Sequence, residues 1–202
     1  MRENGIWARH KRRHKATTDS KHSLPVAPTL LDRDFTPAAP NQVWTAGLTY
    51  IWTDEGWLYL AMVSDLFNRE VVGWSIKPRM TADTVSDALA MAWFRKKPAP
   101  GLIHRSDRGS QHASQAFQGR LKEYGMVCSM SRKGNCRDDA PIGSSFNSLR
   151  NERVHGTRYS TGGGTGRPVR LHRTVLQPQA QTSHARLRFA HEIPERLDHD
   201  SA

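Results

Sequence analysis

The stretch "VWTAGLTYIWTDEGWLYLAMVSDLFNREVVGWSI", residues 43–76, decides the fold. It holds three runs of strand-forming residues with short connections between them. "VWTAGLTYIW" is rich in β-branched and aromatic side chains. "GWLYLAMVSDLF" is almost continuously apolar, as a strand covered on both faces would be. "EVVGWSI" follows after a turn at Asn68-Arg69. Consecutive strands joined this closely predict an antiparallel meander.

Helices and strands alternate after the meander. "MTADTVSDALAMAWFRK", residues 80–96, predicts a helix with Thr81 as N-cap and Val85, Leu89 and Trp93 recurring at i, i+4 and i+8. "PAPGLIHRSD" is a proline/glycine break and then a short strand ending at Asp107. "SQAFQGRLKEYG", residues 114–125, predicts a second helix closed by Gly125. "MVCSMS" predicts a fifth strand, and a basic loop leads into a third helix near Pro141. The order β-β-β-α-β-α-β-α predicts an α/β fold, a mixed five-stranded sheet with flanking helices.

Composition narrows the class of partner. The chain has 202 residues, a net charge of +11 and a pI near 10.3. That excess points to a polyanion, most often nucleic acid. Apolar residues make up 37%, enough for a core over part of the length only. Cys128 and Cys136 have no zinc-like spacing around them and read as reduced thiols of a cytosolic protein. His10 and His14 stand at i, i+4, but without a third ligand they make no zinc site. No apolar run approaches the roughly 18 residues of a membrane span, and no secretory segment follows the N-terminus. The expectation is a soluble cytoplasmic chain.

Three regions follow. Residues 1–40 are basic and then proline-rich and read as an arm or linker, with Arg12 and Arg13 among its phosphate-binding candidates. Residues 41–160 hold the periodic core. From about residue 161 to 202 the chain is rich in Gly, Arg, Gln and His without periodicity, and composition predicts disorder.

Two positions carry the functional question. Asp107 ends an apolar strand in "HRSDRGSQ", where a carboxylate can project over a sheet edge or simply cap the next turn. Gly143 lies in the first turn of the last helix, in "DDAPIGSSFNSLRNE". Glycine costs a helix interior about 1 kcal/mol relative to alanine, and an acid would be welcome there.

The runs "LTYI", "GWLYLAMVSDLFNREVVGWS", "GLIHRSDRGSQ" and "SMSRKGNC" together resemble the integrase-core subunit of bacterial insertion-sequence transposases, over residues 1 to about 160. More narrowly, the chain resembles the group encoded in two overlapping frames, whose catalytic domain is similar to retroviral integrases. The resemblance implies a ribonuclease-H-like fold and DNA integration by two-metal phosphoryl transfer. Two hard cations, Mg²⁺ or Mn²⁺, would be held about 3.5–4 Å apart by three acids, Asp, Asp and Glu. It also implies DNA partners, insertion-element ends and target, with the first-frame subunit or intact copies as oligomer partners.

Carried over residue by residue, the middle Asp falls on Asp107. The first acid precedes a Tyr by three places in a D-x-T-Y pattern, and this chain reads "GLTY", which puts Gly47 there. The Glu follows the middle Asp after 35 intervening residues, and that position is Gly143. Asp65, Asp138 and Asp139 are the acids that would have to reach the site to replace them. Arg137 and Ser145 stand at usual aromatic positions, which weakens packing of the last helix. Arg150 matches a basic position that touches DNA in the family, Arg132 and Lys133 are loop cations that could do the same, and a solvated surface is the alternative reading for each.

The resemblance stops near Ser160, and the genetic code suggests why. "VRLHRTVLQP" can be encoded so that a shift of one nucleotide reads "FDYIEPFYN", which looks like the family's missing C-terminal segment. Residues from about 161 are then an out-of-frame translation. The family also has more residues before the basic arm, so Met1 reads as an internal start. The expectation is a family member without catalysis. A DNA- or transposase-binding remnant and a decayed gene product are the alternatives.

Overall fold

The computed structural model of the chain describes residues 22–31, 35–53, 56–132, 139–149 and 188–189. The elements are β1 (Val43–Thr53), β2 (Gly56–Asp65), β3 (Glu70–Lys77), α1 (Ala82–Lys96), β4 (Ile103–Ser106), α2 (Ser110–Ala113), α3 (Gln115–Glu123), β5 (Val127–Met130), α4 (Ala140–Leu149) and β6 (Arg188–Phe189). They form one sheet in the order β5-β4-β1-β2-β3-β6. The meander β1-β2-β3 is antiparallel, while β4 runs parallel to β1 and β5 parallel to β4. The mixed sheet and its element order match the expectation. A sixth, two-residue strand lies parallel to β3 and comes from the stretch expected to be disordered. The rest of that stretch lies outside the described residues.

Alternation along β1 distributes its side chains to two cores. Trp44 and Ala46 join Ala61, Val63, Val85, Leu89, Phe117 and Leu121 under α1 and α3. Ile51 joins Leu58, Leu60, Met62, Ile142, Phe146 and Leu149 under α4. The sheet is thus covered on both faces, which explains why β2 reads as a nearly unbroken apolar run.

Helix α1 begins after Thr81 as expected, in extended conformation (φ −112°, ψ 167°). The threonine hydroxyl lies 3.4 Å from the Thr84 hydroxyl and makes no backbone cap. Lys97, left-handed at φ 42°, closes the helix with its amide on the Trp93 carbonyl. No periodicity announces α2, a four-residue turn too short for one. Ser114 is extended at φ −63°, ψ 145°, ends that turn and accepts the Phe117 amide to start α3.

One glycine is required by packing. A Cβ on Gly73 of β3 would sit 2.2 Å from the Ala88 carbonyl oxygen and 2.6 Å from the Ala92 nitrogen of α1. The strand and helix backbones approach that closely only without a side chain. Gly73→Ala is expected to cost about 1–3 kcal/mol by overpacking. A lower urea midpoint at unchanged slope is the reading that checks it.

Residues 22–31, part of the stretch read as an arm or linker, are docked along β5. The Met130 amide donates to the Pro28 carbonyl, Thr29 Oγ1 donates to the Met130 carbonyl at 2.6 Å, and the Leu30 amide donates to Ser129 Oγ. Prolines suit this role, because they cover a sheet edge without offering a new ladder of donors.

Candidate functional site

The C-terminal ends of the parallel strands bring the candidate residues together. Val43 pairs with Ile103 and Thr45 with Arg105, so the same register continued by two residues sets Gly47 level with Asp107. Ser106 pairs with Met130, which puts Ser131 beside Asp107 on the other side. Helix α4 then crosses the α4-facing side of β1 and carries Gly143 on its exposed surface. The three positions assigned by the resemblance therefore share one end of the sheet.

Asp107 does two jobs there. Its Oδ1 accepts the Gly109 amide at 3.0 Å, the turn-capping role left open by the sequence. The same oxygen accepts from Nδ1–H of His112 at 2.8 Å. His112 is completely buried on α2, and its Nε2 has no hydrogen-bond partner among the described residues. Its ring meets the edge of Phe117 at 5.3 Å, and His104 meets the same ring at 5.4 Å. Neither histidine is a residue the sequence reading singled out. The local signal for His112 was its place five residues after Asp107, just past a glycine.

Burial holds His104 neutral. Its pKa is pushed down from 6.5 to about 3, first by burial and then by the nearby His112. A folded-state value below the unfolded one means that stability is complete above about pH 6.5 and falls with acidification toward pH 3. The slope for one such group is roughly 1.4 kcal/mol per pH unit. His104→Leu is expected to flatten the loss between pH 6.5 and pH 4, measured as urea midpoints of the two chains. An identical acid slope in both would contradict that assignment.

Of the acids considered as replacements, Asp65 and Asp139 accept hydrogen bonds from the protein itself. Asp65 is buried at the end of β2, opposite Trp44 and three register steps from Gly47. Its Oδ2 accepts the Asn41 amide at 2.6 Å and its Oδ1 the Phe67 amide at 2.8 Å. Asp139 heads α4; its carboxylate accepts from Ser131 Oγ at 3.1 Å, and its carbonyl accepts the Gly143 amide. Asp138 lies outside the described residues.

The two glycine positions differ physically. A Cβ on buried Gly47 would lie 3.0 Å from Phe146 Cε2 and 3.1 Å from Ile142 Cγ1, so α4 has its apolar face where a side chain at 47 would start. A Cβ on Gly143 would meet nothing within 4 Å. Ser145, at a usual aromatic position, is buried and satisfied by donating to the Pro141 carbonyl. Helix α4 is seated by Ile142, Phe146 and Leu149.

These residues do not fit a pair of divalent cations. Two of the three expected ligands have no side chain, and apolar groups crowd the first of those positions. Among the described residues, no three His, Cys, Asp or Glu side chains converge as a metal cage. Two cations gathered on Asp107 would repel each other with little to offset it.

Of the cationic candidates, Arg132 follows Ser131 directly and is exposed at this end of the sheet. Lys133, Arg150, Arg12 and Arg13 lie outside the described residues. Two further arginines, missed in the sequence, shape the same end. Arg108 donates through Nε to the Ser131 carbonyl, and its own carbonyl accepts from His22 at 2.8 Å. Arg105 is buried with its guanidinium 5.0 Å from the centre of the Phe35 ring. No helix among the described residues is long and apolar enough to cross a membrane.

Comparison with known proteins agrees with this layout. The integrase core domain family matches residues 37–136. The 31 kDa protein of insertion element IS600 from Shigella sonnei is 46% identical over 159 residues, 79% of this chain and 58% of its own length. The transposase InsF of insertion sequence IS3A from Escherichia coli K12 is 46% identical over 160 residues, 79% of this chain and 55% of its own. The chain thus spans little more than half the length of the curated relatives it matches. Among solved structures, a simian T-cell lymphotropic virus intasome in complex with PP2A regulatory subunit B56 gamma superposes with a TM-score of 0.60 at 15% identity, over 85% of this chain and 59% of that one. That likeness establishes the fold, a ribonuclease-H-like integrase core. From the matched core and the 46% identity to both relatives, the chain belongs to the integrase-core family of insertion-sequence transposases.

Proposed function

We propose that this chain binds the DNA on which its family acts and does not itself carry out two-metal phosphoryl transfer. The observation that supports the reading most is the state of the first acid position. Gly47 has no ligand to offer, and Ile142 and Phe146 stand where one would begin. Gly143 removes the second ligand, while Asp107 keeps its place at the strand end. The net charge of +11 supports retained affinity for DNA. Arg12, Arg13, Arg132, Lys133 and Arg150 are the residues proposed to touch phosphates.

Relatives named as transposases make insertion-element ends the natural probe. The full chain is expected to shift a terminal duplex in an electrophoretic assay, with affinity falling as salt rises by a log–log slope of about −0.9 per phosphate contact. Mg²⁺ or Mn²⁺ is expected to bring no cleavage or strand transfer. A chain that shifts no DNA at low salt, or whose binding ignores salt, would sink the proposal. Binding of this kind would let the chain occupy ends that intact copies or a first-frame subunit need.

The tail from residue 161 is proposed to be an out-of-frame translation of the family's C-terminal segment, on the strength of the hidden "FDYIEPFYN" reading. The nucleotide sequence decides it. Third bases that close the hidden frame would refute it.

A further inference from the structure

The hairpin of β1 and β2 continues well past the candidate site. From Gly47, level with Asp107, β1 runs six more residues to Thr53, about 20 Å of strand. One face of this extension packs under α4 through Ile51, Leu58 and Leu60. The other face is aromatic. Tyr50 pairs across the strands with Tyr59, and Trp52 with Trp57. Trp57 meets Tyr50 edge-on at 4.9 Å and Trp52 edge-on at 4.7 Å. Trp52 is 58% exposed and Trp57 46% exposed. Cross-strand aromatic pairs stabilise a hairpin, but pairing alone does not require indole faces in water.

We infer that this aromatic face stacks unpaired bases of a nucleic-acid strand bound by this chain. The inference deepens the DNA-binding reading and rests on it. Three observations favour this occupant. The exposed part of the four rings amounts to roughly 250–400 Å². A stable pairing of two copies needs about 800 Å² on each partner, so the face is too small to hold a dimer by itself. Rings turned edge-to-face by 74° and 86° leave separate flat surfaces, each the size of a base. Finally, the flank beside Tyr59 is basic: Lys77 pairs with Tyr59 across β2 and β3, and exposed Arg79 follows two residues on. Lys77 also bridges Asp87 of α1 at 2.7 Å.

The test is a titration of the full chain with a 12-nucleotide oligothymidylate, an abasic strand of the same length and a terminal duplex, read by tryptophan emission and by anisotropy of labelled DNA. Oligothymidylate is expected to quench emission and to bind more tightly than the abasic strand. Trp52→Ala is expected to weaken oligothymidylate binding by roughly 5- to 100-fold and leave duplex binding unchanged. Trp52→Phe, which keeps a ring, should recover most of that loss, and this separates stacking from misfolding. Equal binding of the abasic and base-bearing strands would overturn the inference while leaving duplex binding intact. So would a concentration-dependent dimer of the wild-type chain that Trp52→Ala abolishes. Failure of all three DNAs to bind would overturn both this inference and the DNA-binding reading beneath it.

Discussion

Gly47→Asp is expected to destabilise the chain by about 3 kcal/mol, the combined effect of overpacking and of burying a carboxylate without assured partners. The new Cβ would press on Phe146 and Ile142, which must give by a few tenths of an ångström or lift α4 from the sheet. Gly143→Glu is expected to do the opposite. It adds a side chain into open space, replaces the poorest helix former but proline, and places a negative charge in the first turn of α4. Together these stabilise by about 1 kcal/mol. Urea melts of the two variants and the parent check both signs. A Gly47→Asp chain as stable as the parent would mean that α4 yields easily and that the first acid position is an open vacancy. Adding Phe146→Leu to Gly47→Asp should recover part of the loss if the contact is its cause, a coupling that a double-mutant cycle measures.

Asp65→Ala is the second large effect. The carboxylate is buried and accepts the Asn41 and Phe67 amides, tying the entry of β1 to the turn after β2. Removing it leaves two donors without an acceptor. Hydrogen bonds to a charged group contribute about 1.5–3 kcal/mol each, so a loss of about 3 kcal/mol is expected. Asp65→Asn keeps one acceptor and should fall between. A loss below about 0.5 kcal/mol for Asp65→Ala would free this residue for other chemistry and reopen it as a replacement ligand.

Much of the fold was legible because its signals were periodic. The three runs of the meander, the 3.6-residue spacing of Val85, Leu89 and Trp93, and the breaks at prolines and glycines each had one physical meaning. What escaped was short or non-local. Helix α2 is four residues long and has no period. The docking of residues 22–31 on β5 depends on the Met130 carbonyl and the Ser129 hydroxyl, about a hundred residues away, and a proline-rich string reads the same whether docked or loose. Strand β6 has two residues and no pattern at all.

The candidate site divided in the same way. Asp107, Gly47 and Gly143 were assigned by spacing within motifs; strand register sets Gly47 level with Asp107, and α4 brings Gly143 to the same end through Ile142 over Gly47. The difference between the two glycines could not be read, since only packing reveals Phe146 and Ile142 over one and nothing over the other. His104 and His112 were equally silent, because burial and the ring of Phe117 give them their character. Asp65 looked available in sequence and is consumed by two backbone amides in space.

The most direct measurement is a strand-transfer and donor-cleavage assay of the full chain on insertion-element terminal DNA, with Mg²⁺ and with Mn²⁺, beside a shift assay of the same DNA. The account predicts a salt-sensitive shift and no product with either metal. Product formed at any concentration of the purified chain, and abolished by Asp107→Asn, would contradict it.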